Sequence, residues 1–274
     1  MLNEIITIYA ITDDLLKAIG HDDDIRRDMI DAEIITTALV AAMFFNGNHS
    51  KACAYMKDHK LIPNMLEKSR FNLRLHNLSM LLNDLFHQIG MIIKEISDST
   101  EYLLDSFPVT ICDNIRIFQV HLIQSEEYRG YIASKKRYFY GVRVQLISTK
   151  SGIPVEFAFL PGSANDVRGL NALPFNLPPG SEVYADAAYT DYTVEDDMAQ
   201  SSQISLKVMR KKNSKRQDQP WNQYVKQYTR HYIETVFSCI TCIFPKSIHA
   251  VTYEGFLLKL QAFIFAFTLK SAFM

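Results

Sequence analysis

The chain has 274 residues, of which 48% are hydrophobic and 22% charged, and its formal net charge is −1. That length holds one large domain or two modest ones, the composition excludes a disordered chain, and the charge gives no global sign of a polyanionic partner. The average hides an asymmetry: nine acids stand against three bases in the first 33 residues, and eight bases against the single acid Asp218 from Lys207 to Arg230. A local basic stripe bears more on nucleic-acid binding than the overall charge does.

Residues 1–98 read as an all-helical N-terminal domain. Ile34, Leu39, Ala42 and Phe45 recur near helical spacing, and Asn46-Gly47-Asn48 stops that element. Ser50 is placed to cap a short helix ending before Pro63. Ser69 opens a longer amphipathic run from Leu73 to Ile93. Short helices followed by one bearing Arg70 and Arg74 near its start fit a helix-turn-helix, with those arginines at DNA phosphates or bases. An ordinary helical bundle with solvated arginines fits as well.

From about residue 101 the hydrophobic period changes to that of strands. Tyr102 to Cys112 is β-prone, with Pro108 as a break. The runs from Tyr138 to Thr149 and from Ile153 to Leu160 meet at Ser151-Gly152 and read as a hairpin. Asp166 is placed to cap a short helix. Val183 to Ala185 and Ile204 to Met209 read as strands around a polar helix from Asp191 to Gln200. A helix from about Tyr224 to Ile243 follows. The Phe- and Leu-rich stretch from Phe256 to Met274 carries Lys259, Gln261 and Lys270, and reads as a buried closing helix rather than a membrane span. The expectation is a mixed α/β sheet with flanking helices over residues 99–274.

No secretory leader is expected at the N-terminus, and four cysteines are too few for a disulfide scaffold, which suggests a reducing cytoplasm. Cys239 and Cys242 are spaced as a C-x-x-C pair, but no second pair or nearby His completes a zinc site, so they read as core or helix surface. No Gly-rich phosphate loop of the Walker or Rossmann type occurs, so no nucleotide cofactor is implied.

Three carboxylates stand out by position. Asp105 lies in the apolar strand Leu103-Leu104-Asp105-Ser106-Phe107, and Asp186 ends the apolar strand Val183-Tyr184-Ala185. Charged groups seldom occupy such places uncompensated. Glu234 lies mid-helix beside a stripe of Ile233, Val236, Phe237 and Ile240, with Arg230 four residues before it on an adjoining polar strip. Taken singly, each has a plain structural reading as a cap, a turn former or half of an ion pair. Taken together, gathered at one point, they would repel by several kcal/mol at an effective dielectric near ~20 unless cations neutralised them. Hard oxygen ligands with no Cys or His among them select Mg²⁺ or Mn²⁺.

Basic residues accompany these acids. Arg210, Lys211, Lys212, Lys215 and Arg216 precede the Glu234 helix, and Lys135, Lys136 and Arg137 precede the second strand. Tyr138, Tyr140, Trp221, Tyr224 and Tyr228 flank them, which suits phosphate contact with stacking on an unpaired DNA end. A solvated loop is the plain alternative.

The sequence resembles the DDE transposases of bacterial insertion sequences, in the compact branch without a large insertion in the catalytic domain. Five blocks carry the resemblance, in the family's order. They are Asp105-Ser106-Phe107-Pro108-Val109, the stretch from Lys136-Arg137-Tyr138-Phe139-Tyr140-Gly141 to Gly152, Pro161 to Asp166, Tyr184-Ala185-Asp186-Ala187-Ala188-Tyr189, and Arg230 to Ser238 around Glu234. One departure is local: Ala187-Ala188 stand where the family places a base and then Gly.

The resemblance implies an RNase H-like catalytic domain whose two divalent metal ions sit on Asp105, Asp186 and Glu234, with Asp105 bridging. It implies water-driven nicking of the element ends, then attack of the freed 3′-OH on target DNA. The partners implied are terminal inverted repeats and target DNA, contacted by the basic residues named above and Arg230, on a homodimer or higher assembly in the cytoplasm at the nucleoid, away from membranes. Two other readings stand beside this one: a decayed or domesticated DNA-binding protein that does not cut, and an RNase H-like nuclease that never joins strands.

Overall fold

The computed structural model describes residues 1–97, 99–113, 122–123, 125–132, 136–245 and 247–274, with the side chains of Arg230 and His231 excepted. Lys135, one of the expected DNA contacts, lies outside the described residues. The chain divides into two compact units: Met1–Ile92 with Cys242–Met274, and Ile93–Thr241.

The first unit is helical, built from α1 (Leu2–Ala18), α2 (Asp31–Phe44), α3 (His49–Asp58), α4 (Lys68–Asn77), most of α5 (Ser79–Ile96) and α9 (Tyr253–Phe273). Nearly every residue of α2 is buried, which fits its Ala-, Ile- and Val-rich sequence. The expected stop after α2 holds: Asn46 and Gly47 take positive φ values of 51° and 74°. Asn48 rather than Ser50 caps α3, accepting from the Lys51 amide at 3.1 Å. The run opening at Ser69 is two helices, not one. The backbone turns at Leu78, and no Gly or Pro marks the break.

The expected extension of the sheet domain to residue 274 meets a different arrangement, because residues 242–274 group with the N-terminal helices. The cause is an almost uniformly apolar α9, which must be enclosed on all sides. Phe263 sits against Gly47, where a Cβ would come within 2.9 Å of its ring, and Phe265 meets Phe86 edge-on at 5.7 Å. Among the described residues α9 is the one helix long and apolar enough to cross a membrane; it lies largely buried inside this unit.

The second unit carries a six-stranded mixed sheet of β1 (Glu101–Asp113), β2 (Arg129–Ile132), β3 (Arg137–Thr149), β4 (Pro154–Pro161), β5 (Glu182–Ala185) and β6 (Ser205–Val208). The spatial order is β2-β3-β1-β5-β6, and β4 pairs the remainder of the β3 edge that β2 leaves open. β1, β3 and β4 are antiparallel neighbours, whereas β5 and β6 run parallel to β1. The expected hairpin is present, and Gly152 takes its turn at a φ of 87°. Pro108 does not break β1, which pairs β3 through it. β5 covers β1 only from Glu101 to Leu104, so further along that edge a proline need cost no ladder bond.

Helices cover both faces. On one, α8 (Pro220–Cys242) lays Phe237 edge-on against Phe107 with ring centroids 6.0 Å apart. On the other, α6 (Asp166–Ala172) and α7 (Tyr192–Ser201) close over Gln145 and β6. Asn165, not Asp166, caps α6. Asp166 is used instead as a partner for Ser106 and Arg143, at 2.7 and 3.4 Å.

Candidate functional site

The register of the parallel pair fixes the first two carboxylates. Leu104 is opposite Ala185, so Asp105 and Asp186 occupy the next positions on adjoining strands, on one face of the sheet. Each turns an oxygen onto the following backbone amide: Asp105 Oδ1 accepts from Ser106 at 2.7 Å and Asp186 Oδ1 from Ala187 at 2.6 Å. Asp186 thereby caps the short 3₁₀ turn Ala187–Tyr189, and the Ala187-Ala188 departure is absorbed there. Both carboxylates are half-buried.

Glu234 comes from α8. Ile233, Val236, Phe237 and Ile240 are buried and anchor the helix, as the wheel predicts, while Glu234 stays exposed at the border of that stripe. Val236 is wedged against the turn at Gly152, where a Cβ would lie 2.9 Å from its Cγ2. The result is one small cleft of about 40 Å³ lined by Asp105, Asp186 and Glu234 together with Lys207, Lys226 and Ile233. The three residues singled out from sequence line a common depression, although 81 and 48 positions separate them along the chain (186 − 105 and 234 − 186).

Sequence reasoning missed the two lysines. Lys226 Nζ is buried and donates to Asp218 at 2.7 Å and to the Val208 carbonyl at 2.9 Å. Lys207 pairs with Glu182 at 3.3 Å. Both therefore already answer carboxylates outside the acidic triplet. The signal for Lys226 was its place seven residues before Ile233, on the same helix face.

Beneath the strands lies a polar network on the opposite face. Tyr189 donates to Gln145 Oε1 at 2.5 Å, and Arg143 donates to Ser106 Oγ at 3.2 Å. Burial, and then the charges of Asp105 and Asp166, hold the Tyr189 hydroxyl well above its ordinary pKa, so it remains a donor.

The basic residues divide into two groups. Lys136, Arg137, Lys211, Lys212 and Lys215 are exposed, as is Arg70 on α4. Arg216 forms a bidentate pair with Asp196, both bonds 2.7 Å, and lies over the Tyr192 ring at 4.8 Å. Two others are turned inward, contrary to the expectation of DNA contact. Arg74 is bonded to Asp31 and to the Met29 carbonyl within the helical unit, and Arg210 is bonded bidentately to Glu195, with both groups buried. A guanidinium committed to a buried carboxylate cannot leave for a phosphate without stranding that charge. The Arg230 side chain, expected among the DNA contacts, lies outside the described ones.

Among the described residues, His21, Asp23 and Asp31 are the one group of three or more metal-competent side chains whose ligand atoms all lie within 4.8 Å of one another. Asp31 there is already shared by Arg74, Arg27 and His21, and Asp23 accepts the Asp31 amide at 2.8 Å. That group is an ion-pair and capping network at the start of α2.

No curated protein and no solved structure shows significant similarity to this chain. The family model described as transposase DDE domain matches residues 95–247, more than half of the chain and nearly all of the sheet unit. By that match, with the acidic triplet in its one cleft, the chain belongs to the transposase DDE domain family.

Proposed function

We propose that the protein is a metal-dependent DNA transposase in which Asp105, Asp186 and Glu234 hold two divalent ions, nick the ends of an insertion sequence and join the freed 3′-OH to target DNA. The observation that carries this reading is the cleft itself, where three carboxylates meet on an RNase H-like framework. The order β4-β3-β1-β5-β6, with three antiparallel strands followed by two parallel ones, supports that framework.

The donor set fits hard cations, because no Cys or His lines the cleft. The three side chains do not form a group with all ligand atoms within 4.8 Å, the spacing expected round a single ion. Asp105, Asp186 and Glu234, which line the cleft together, would hold two hard cations between them rather than enclose one. When bound, such ions supply an activated oxygen nucleophile and charge stabilisation at the leaving oxygen.

The chain's own contribution is placement. The sheet register holds Asp105 and Asp186 side by side, and the packing of α8 sets Glu234 against them. Lys211, Lys212, Lys215, Lys136 and Arg137 are exposed cations for the DNA backbone, on a dimer or larger assembly that brings two ends together.

The test uses the full chain with DNA carrying its flanking ends and Mg²⁺. The wild type should yield a strand nicked at the element boundary and then a joined product. Asp105→Asn should lose both by at least about a hundredfold at unchanged DNA affinity. Equal processing by the wild type and Asp105→Asn would overturn the assignment, whereas nicking without joining would reduce it to a nuclease.

A further inference from the structure

The helical unit contains a cavity of about 720 Å³, within the range of small-molecule sites, formed by the end of α2, the start of α3, α4 and the segment leading into α9. Its charge is one-sided. Lys51, Lys68 and Lys259 line it, together with His49, His76 and His249, and no Asp or Glu does. None of the three lysines pairs with a carboxylate among the described residues; the one ammonium contact is from Lys259 to the His249 carbonyl at 2.6 Å. Lys51 and Lys68 are exposed and Lys259 is half-buried; elsewhere in the protein Arg74, Lys94, Arg210 and Lys226, which are half-buried or buried, each have an acidic partner.

Two helix starts add to the same field. α3 begins at His49 after the Asn48 cap, and α9 begins at Tyr253 after the Thr252 cap, so the positive ends of two dipoles border the cavity. Gly255 lets the chain pass close to His76, whose ring atoms would stand 3.0 and 3.1 Å from a Cβ at that position. Burial above all, and then the charge of Lys68, depress the pKa of Lys259.

We infer that this cavity is a phosphate-binding site, with Lys51, Lys68 and Lys259 as its cationic ligands. A phosphate group supplies the missing negative charge and accepts from ammonium and helix-terminal N–H groups at once. The phosphate can come from a DNA backbone or from a free phosphate compound. The DNA source rests on the transposase reading, and the free source does not.

The test compares the full chain with the triple variant Lys51→Ala/Lys68→Ala/Lys259→Gln, its fold checked by circular dichroism. In one arm, duplex DNA is titrated over a salt series without divalent metal. A DNA site is indicated by weaker binding and by a slope of log K against log salt shallower by about 2–3, near 0.9 per lost phosphate contact. In the other arm, inorganic phosphate is added during thermal unfolding, and a free-phosphate site is indicated by stabilisation of the wild type that the variant lacks. If the variant matches the wild type in both arms, the inference is overturned. Nicking by the acidic cleft is assayed separately with Mg²⁺, so loss of one reading leaves the other measurable.

Discussion

Removing Lys94 should damage the sheet unit more than any single surface change. Its side chain is 4% exposed and that of Glu156 on β4 is 5% exposed. Lys94 Nζ donates to Glu156 Oε1 at 2.9 Å and to the Asn176 carbonyl at 2.7 Å, and Glu156 Oε2 has no hydrogen-bond partner among the described residues. Lys94→Met keeps most of the volume but strands a carboxylate whose sole cation is gone. Breaking a buried pair in this way costs about 3–5 kcal/mol. At ~2–4 °C per kcal/mol for a domain of this size, the melting temperature should fall by roughly 10 °C. Adding Glu156→Leu should return most of the loss, because the stranded charge rather than the missing attraction dominates it. Calorimetric unfolding of the two single variants and the double variant reads both effects. A fall under ~2 °C for Lys94→Met, or a double variant no better than the single one, would refute the reasoning.

Three further outcomes follow from other contacts. Gly152→Ala meets both a φ of 87° and a Val236 methyl at 2.9 Å, so it should cost about 1–3 kcal/mol in denaturant titration and lower nicking by shifting the helix that carries Glu234. Arg74→Ala should destabilise the helical unit by a few kcal/mol with no change in the salt slope of DNA binding, whereas Lys211→Ala/Lys212→Ala should flatten that slope by about 2 and leave stability unchanged. Burial lowers the pKa of His49 to about 4, from an ordinary 6.5. The unfolded chain therefore takes up this proton first: the contribution is complete above about pH 6.5, drains away as the pH falls, and is lost by about pH 4, amounting to ~3 kcal/mol at most. A stability profile of His49→Asn should lack that drop.

Two carboxylates of the acidic cleft were legible because each interrupted a local hydrophobic pattern, whereas Glu234, on the polar strip of its helix, was tied to them only through the family resemblance. An Asp among Leu103, Leu104 and Phe107 is conspicuous, and so is one ending Val183-Tyr184-Ala185. The strand periods gave β1, β3, β4, β5 and β6 to within a few residues. What escaped was whatever depended on a partner distant in sequence. Arg74 reads as a solvent-facing helix arginine until Asp31, 43 residues earlier, is folded beneath it. Arg210 looks like part of a basic loop until Glu195 on α7 takes both its donors. The turn at Leu78 carries no breaker residue, so helical periodicity runs straight across it. Pro108 was read as a break because the open edge of β1 beyond Leu104 is a property of the sheet and not of the strand.

The enclosure of α9 by the N-terminal helices has a consequence for how the protein comes into being. Residues 253–273 are translated well over two hundred residues after α1, yet they fill the centre around Gly47 and Phe86. During synthesis the sheet unit can finish folding while the earlier helices still present bare apolar surface on the emerging chain. That interval is when chaperones or proteases would find it. A ribosome that stalls before Tyr253 releases a product with its acidic residues in place and an unfinished helical unit, so quality control acting on the latter would remove unfinished copies of the chain.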